Sequence, residues 1–193
     1  PSIRVHDQDD EFGDGALVIS NAGIAVGASQ VNEYEVTSNV DNLAATLDPA
    51  VIGAHLASGK AVTAEVVSKD PGDAGGAPAR VDGVVQIVES FRFPEGFDEA
   101  SIPVFNVNSF VLDATAIDRD FPLSWFVVRK KVGGQEAIQF EHLVGELTAF
   151  LPTQCLHVDR EGPDGRFQPV KDPEELTRRA PRIEAMLRGR GVL

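Results

Sequence analysis

The chain has 193 residues with 17 Lys and Arg against 30 Asp and Glu, a net charge of −13. That balance excludes a phosphate-backbone partner such as nucleic acid, which needs clustered Lys and Arg, and equally excludes an anionic membrane surface. The single Cys155 excludes an internal disulfide and suits a reducing compartment. No apolar run approaches the ~18 residues of a membrane span, and no basic-then-apolar leader is visible, so a cytoplasmic location is expected. The length suits one domain with a sizeable core over residues 1–193. The chain starts at Pro1 and its only methionine is Met186, so a processed or truncated piece of a longer protein is expected.

Residues 1–14 are polar and acidic and read as a loop. Residues 15–31 are small and apolar, and Leu17-Val18-Ile19 fits either a strand or a buried helix. Tyr34-Glu35-Val36-Thr37 reads as a strand that breaks at Ser38-Asn39-Val40-Asp41-Asn42, where short polar side chains favour a loop. Asp48-Pro49 pairs an N-cap residue with proline at the first helical position, giving a helix over 49–58 closed by Gly59. Ala61 to Val67 reads as a strand and Asp70 to Pro78 as a loop. Val81 to Glu89 reads as a hairpin turning at Asp82-Gly83. Val104 to Leu112 is a strand whose alternation puts Asn106 and Asn108 on one face. Asp113 caps a short helix. Trp125 to Val132 is a strand turned back by Gly133-Gly134. The spacing of Phe140, Leu143, Val144, Leu147 and Phe150 predicts a helix over 139–150. Leu156 to Val158 is a short strand, and 173–190 is helical with a break near Pro181. Strands and helices interleave, so the class is α/β with a mixed sheet.

No G-x-S-x-G turn is present, so a Ser-His-Asp hydrolase has no nucleophile elbow. His6, His55, His142 and His157 lack metal-ligand spacing and read as structural or solvent-facing. Ligands of open α/β sheets bind at the carboxyl ends of strands. Asn39, Asp41 and Asn42 fall at such an end, where one carboxylate between two carboxamides suits a hydrated Mg²⁺ and a ribose or phosphate. An ordinary polar turn fits the same residues. Gly75-Gly76 permits close backbone approach to a sugar or phosphate but lacks a P-loop's Gly-Lys-Ser/Thr ending. The polar residues gather from separate loops and strand ends: Asn39 and Asp41, Glu65 with Gly75 and Gly76, Glu89 with Asn106 and Asn108, and Lys171. Carboxylates and carboxamides suit sugar hydroxyls, and a lysine suits phosphate.

Ser38-Asn39-Val40-Asp41-Asn42-Leu43 resembles the S-N-x-D-N-L segment of UDPGP-type uridylyltransferases. That family holds the UTP–glucose-1-phosphate uridylyltransferases and the UDP-N-acetylhexosamine pyrophosphorylases. Later segments agree in order. Glu65-Val66 with Lys69 and Gly75-Gly76 resembles E-V-T-x-K…K-G-G, and Phe105-Asn106-Val107-Asn108 resembles F-N-T-N. Ile138-Gln139-Phe140-Glu141 with Gly145 resembles I-Q-L-E…G, and Arg166 to Lys171 resembles R-F-x-P-V-K. The family-like core spans about 38–176, followed by a helical tail over 177–193.

The resemblance implies a GT-A-like, Rossmann-related mixed sheet flanked by helices, without the family's N-terminal nucleotide-loop segment. It implies a nucleotidyltransferase making a UDP-sugar and pyrophosphate from UTP and a sugar 1-phosphate, with Mg²⁺. By matching position, Lys171 and Asp41 would be catalytic, with Asp41 at the metal. Asn39, Asp41 and Gly13 would contact the nucleotide. Gly75, Gly76, Glu89, Asn106 and Asn108 would hold the sugar. The sequence departs from the family where Phe12 replaces a histidine, where no lysine precedes Gly75, and at Val107 and Ser109. The alternative is a catalytically inactive sugar-nucleotide-binding or scaffold relative, and these residues alone are expected to be inactive.

Overall fold

The computed structural model describes residues 17–20, 23–26, 34–73, 75–132 and 135–193. The central sheet is built from β1 (Leu17–Ser20), β2 (Gly23–Val26), β3 (Tyr34–Asn39), β4 (Val62–Ser68), β7 (Val104–Asp113) and β10 (Thr153–His157). The strand order is β1-β2-β3-β7-β4-β10. Only β4 and β10 pair in parallel; the other neighbours are antiparallel. β3, β4 and β10 therefore run the same way, and their carboxyl ends share one edge with the start of β7. The mixed α/β sheet expected from the sequence is present. β3 extends through Asn39, and the ambiguous 15–31 stretch contributes strands.

Helix α1 (Pro49–Ser58) has the expected caps. Asp48 accepts from the Ala50 amide at 2.8 Å, and Gly59 turns left-handed at φ 60°. α1 is fastened to β4 by His55, whose Nδ1 lies 2.9 Å from Thr63 Oγ1. On the opposite face of the sheet, Val62 and Ala64 of β4 and Phe110 and Leu112 of β7 pack with Ile87, Leu147 and Leu151. Ile87 belongs to a separate hairpin, β5 (Ala77–Val81) and β6 (Val84–Val88), turned by Asp82 at φ 49° and Gly83 at φ 83°. Positive φ at both central residues gives the turn whose twist matches the strands.

Four expectations need correction. The segment 139–150 is not a helix. Gln135–Glu141 forms β9, paired in register with β8 (Phe126–Val132), and a 3-10 stretch follows at Val144–Ala149. Cross-strand pairing captures the first half, while Leu147 and Leu151 are buried from the 3-10 end. The first strand of the 77–88 hairpin starts at Ala77, so the loop after β4 ends before Pro78. An edge strand tolerates that proline because its missing N–H faces outward. The strand near Leu156 starts earlier, at Thr153, because it extends along β4 in parallel. Finally, α3 (Pro173–Gly189) runs through Pro181 without a break. The proline removes one helical hydrogen bond on an exposed stretch, and Ile183 and Met186 beyond it are buried and anchor the helix. Among the described residues no helix is long and apolar enough to cross a membrane. Gly133-Gly134 lies outside the described residues.

Candidate functional site

β7 is irregular where it passes the sheet edge. Val66 pairs with Asn106, yet Ala64 pairs with Phe110, so two extra residues are taken up in β7. Asn108 absorbs the bulge with φ 58°, a left-handed conformation that asparagine tolerates better than most residues. An insertion of even length keeps the in-out parity of the strand, so Asn106 and Asn108 stay on the same side. Val107 is buried with Phe105 and Val67 on the other. Asn108 donates its backbone N–H to Asn106 Oδ1 at 2.5 Å and its side-chain amide to Asn39 Oδ1 at 2.5 Å. Asn106 donates to the Glu65 carbonyl at 3.3 Å, and its own N–H meets the Gly76 carbonyl at 2.7 Å. Gly76 in turn sits against Glu89. A Cβ on Gly76 would lie 2.8 Å from Glu89 Oε1 and 2.7 Å from Ile87 Cγ2. Asn39, Asn108, Asn106, Gly76 and Glu89 thus form one continuous run along the sheet edge. Burial pushes the Glu89 carboxyl above its usual range, and Arg92 only partly opposes it.

The segments that carry Asp41 and Lys171 run side by side, starting two residues on from Asn39. The segment after Arg166 lies antiparallel to the turn after β3. Leu43 N–H donates to the Gln168 carbonyl at 3.0 Å, Asn42 pairs with Pro169, and Val170 N–H donates to the Asp41 carbonyl at 2.8 Å. Lys171 is therefore the next residue along from the strand partner of Asp41. The buried Asn42 clamps the two segments, donating to the Arg166 carbonyl at 2.9 Å and accepting from Gln168 N–H at 2.8 Å. Lys171 is exposed, its backbone N–H held by Glu175 at 3.0 Å.

Beneath the turn lies a buried ion pair. Arg166 grips Glu65 through both carboxylate oxygens, one contact at 2.8 Å and a shorter one from Nε. Both residues are almost fully buried. Burial opposes the charge on Arg166, but Glu65 and then Asp48 raise its pKa above the ordinary arginine value. The pair walls a cavity of about 190 Å³ shared with Ser38, Asn42, Thr46 and Ser109; Asn106 and Asn108 do not line it. A second arginine, Arg160, holds the loop leading to Gly75. It bonds Asp73 at 2.6 and 3.2 Å and Asp70 at 3.1 Å, and lies over the rings of Phe105 and Phe167. Sequence reasoning placed Glu65 and Arg166 in motifs but could not pair them, and it missed Arg160. β4 is buried on both faces, so Glu65 lies in the interior, and a buried carboxylate demands a cation.

A metal would find few free ligands here. Asn42 Oδ1 accepts from Ala44 and Gln168, and Asn39 Oδ1 accepts from Asn108. That leaves the Asp41 carboxylate. One carboxylate fits an ion such as Mg²⁺ that keeps its waters and binds mainly through substrate phosphates, and does not fit an all-protein cage. Consistently, the described residues contain no group of three His, Cys, Asp or Glu that could enclose a metal. His55 is bonded to Thr63, His157 Nε2 lies 3.1 Å from Ser68 Oγ, and the His142 ring lies tilted against Trp125 with centroids 3.7 Å apart. Gly13, Phe12 and His6 lie outside the described residues.

The mixed sheet, covered on both faces and with its polar residues gathered at the carboxyl edge of β3 and β4, has a GT-A-like nucleotidyltransferase fold. It is shared with UDP-glucose pyrophosphorylase from Leishmania major in complex with UDP-glucose, at a TM-score of 0.59 and 23% identity, covering 76% of this chain and 36% of that one. UDP-N-acetylglucosamine pyrophosphorylase from Trypanosoma brucei matches at a TM-score of 0.55 and 23% identity, covering 72% of this chain and 33% of that one. The profile of the UTP–glucose-1-phosphate uridylyltransferase family matches residues 28–180, and the chain belongs to that family. The UTP–glucose-1-phosphate uridylyltransferase of Encephalitozoon cuniculi is 25% identical over 155 residues, 75% of this chain and 31% of that protein. The chain thus spans about a third of the length of these relatives.

Proposed function

We propose that this chain forms the sugar- and phosphate-binding part of a uridylyltransferase joining UTP and a sugar 1-phosphate. The reaction is an in-line displacement. A phosphate oxygen of the sugar 1-phosphate attacks the α-phosphorus of UTP, the bond from that phosphorus to the bridging oxygen breaks, and pyrophosphate leaves with the electron pair. No protein nucleophile is needed; positioning and charge neutralisation suffice. The observation that carries the reading is the unbroken run from Asn39, two residues before Asp41, through Asn108, Asn106 and Gly76 to Glu89.

In this reading Asn39 orients the nucleotide, with Gly13 joining it from outside the described residues. Gly75 and Gly76 let the backbone come close to the sugar. Glu89 accepts from its hydroxyls, and Asn106 and Asn108 complete that wall. Lys171 is the cation at the transferring phosphate. Asp41 would hold Mg²⁺, which supplies charge neutralisation at the phosphate oxygens when bound. Relatives named for UDP-glucose and for UDP-N-acetylglucosamine support glucose 1-phosphate and N-acetylhexosamine 1-phosphate as the sugars to compare. A second reading, an inactive sugar-nucleotide-binding relative, is favoured by the absence of a lysine immediately before Gly75. Pyrophosphate release by the full-length protein with UTP, Mg²⁺ and each sugar 1-phosphate separates them. Turnover with one sugar is expected. UDP-glucose binding without turnover on either would establish the inactive relative.

A further inference from the structure

Lys171 and Asp41 lie 130 positions apart in the chain, so something must set their separation before substrate arrives. Two side chains link the segments that carry them. Asn42, next to Asp41, uses its amide on the Arg166 carbonyl and its oxygen on Gln168 N–H, fixing both ends of the 166–168 stretch. Arg166 reaches down to Glu65 in β4 and sideways to the Thr46 carbonyl at 3.1 Å, with Asp48 at 3.5 Å. The guanidinium therefore ties the lysine-bearing segment, the aspartate-bearing turn and the sheet into one unit. Asn106, on β7, donates to the backbone carbonyl of the same Glu65, so the unit also reaches the bulge.

We propose that Arg166 and Asn42 are positioning residues for uridylyl transfer, presetting the Lys171 ammonium against Asp41 without touching substrate. The proposal rests on the function argued above. A lysine at 166 keeps the charge but cannot span both carboxylate oxygens and the Thr46 carbonyl in one plane. An aspartate at 42 keeps the acceptor and loses the donor to Arg166.

The test is a double-mutant cycle in the full-length protein. Arg166→Lys and Asn42→Asp are each made in the wild type and in Lys171→Ala, and steady-state kinetics are measured with UTP and Mg²⁺. Small displacements of a reacting constellation cost on the order of 10- to 100-fold. Each single variant should lower kcat by that factor while KM for UTP moves by no more than about threefold, the mark of an interaction made in the transition state. In the Lys171→Ala background the same substitutions should cost nearly nothing more, since the group they position is gone. Losses that multiply in full across both backgrounds would overturn the positioning role and leave general destabilisation. Should Arg166→Lys fail to fold, the Asn42→Asp arm decides alone. Wild-type turnover in Lys171→Ala itself would overturn the underlying function as well, so the two failures are told apart.

Discussion

Arg166 closes on both oxygens of Glu65 across 101 residues of sequence, and both groups are almost fully buried. A bidentate guanidinium–carboxylate pair has fixed directions, so it sets the angle between β4 and the 166–171 segment as well as their contact.

Removing one partner leaves an uncompensated buried charge, which typically costs about 3–5 kcal/mol. Glu65→Leu and Arg166→Met should each lower the midpoint of thermal unfolding by roughly 10 °C, given about 2–4 °C per kcal/mol at this size. The double variant Glu65→Leu with Arg166→Met should lose less than the sum of the single losses, because no charge is left stranded. Additive losses in urea titration would show that the pair is not coupled.

This pair marks the limit of what the sequence discloses. Helix α1 is legible because its signals are local: Asp48, Pro49 and Gly59 sit at its ends and act within a turn of themselves. The 82–83 turn is legible for the same reason. The 139–150 segment misleads because its apolar spacing mixes a strand paired to Phe126–Val132 with a 3-10 turn, and neither partner is visible from within the segment. The residues of the candidate site are legible as polar groups at loops and strand ends, and family likeness assigns their roles. Their linkage was not legible, because Asn39 meets Asn108 only through a bulge, and Arg166 meets Glu65 only through the fold.

Gly76 and Gly75 should respond differently to alanine. At Gly76 the new methyl meets Glu89 Oε1 at 2.8 Å and Ile87 Cγ2 at 2.7 Å, so Glu89 must move. At Gly75 the nearest atom is a Phe105 ring carbon at 3.4 Å, ordinary contact. Gly76→Ala should raise KM for the sugar 1-phosphate at least about tenfold, the scale of about 1.4 kcal/mol of lost binding, while Gly75→Ala, whose methyl leaves Glu89 in place, should raise it clearly less. Equal effects at the two positions would remove Glu89 from the sugar wall.

Two buried groups give stability opposite pH slopes. Burial raises the Glu35 pKa above its ordinary 4.5, so the folded state holds that proton more tightly than the unfolded state. Its contribution is full below 4.5 and is lost as pH rises through the raised value. Burial lowers the His55 pKa below 6.5, partly opposed by Asp113, so its contribution is full above 6.5 and is lost as pH falls through the lowered value. Glu35→Gln should therefore stabilise the protein at neutral pH. The gain should fade towards about pH 4, near the model-peptide glutamate value. His55→Gln should remove part of the loss below pH 6.5. Urea midpoints across pH, compared with the wild type, read both slopes.

Asp41→Ala should weaken Mn²⁺ binding in the presence of UTP, followed by calorimetry, while the far-ultraviolet dichroism stays unchanged. A single carboxylate shared with phosphates binds modestly, so a loss of roughly tenfold is the expected scale. Unaltered Mn²⁺ affinity would place the cation elsewhere.

The most direct measurement is turnover of the full-length Lys171→Ala variant with UTP, Mg²⁺ and glucose 1-phosphate, alongside its melting temperature. Lys171 is exposed and its backbone N–H, which alanine retains, makes the contact to Glu175, so stability should shift by no more than ~1 kcal/mol. A cation placed at developing phosphate charge contributes about 3–4 kcal/mol to the transition state, or about 10²–10³ in rate. A fall in turnover of at least about 100-fold at an unchanged melting temperature is the expected result. Turnover within about threefold of the wild type would contradict the site.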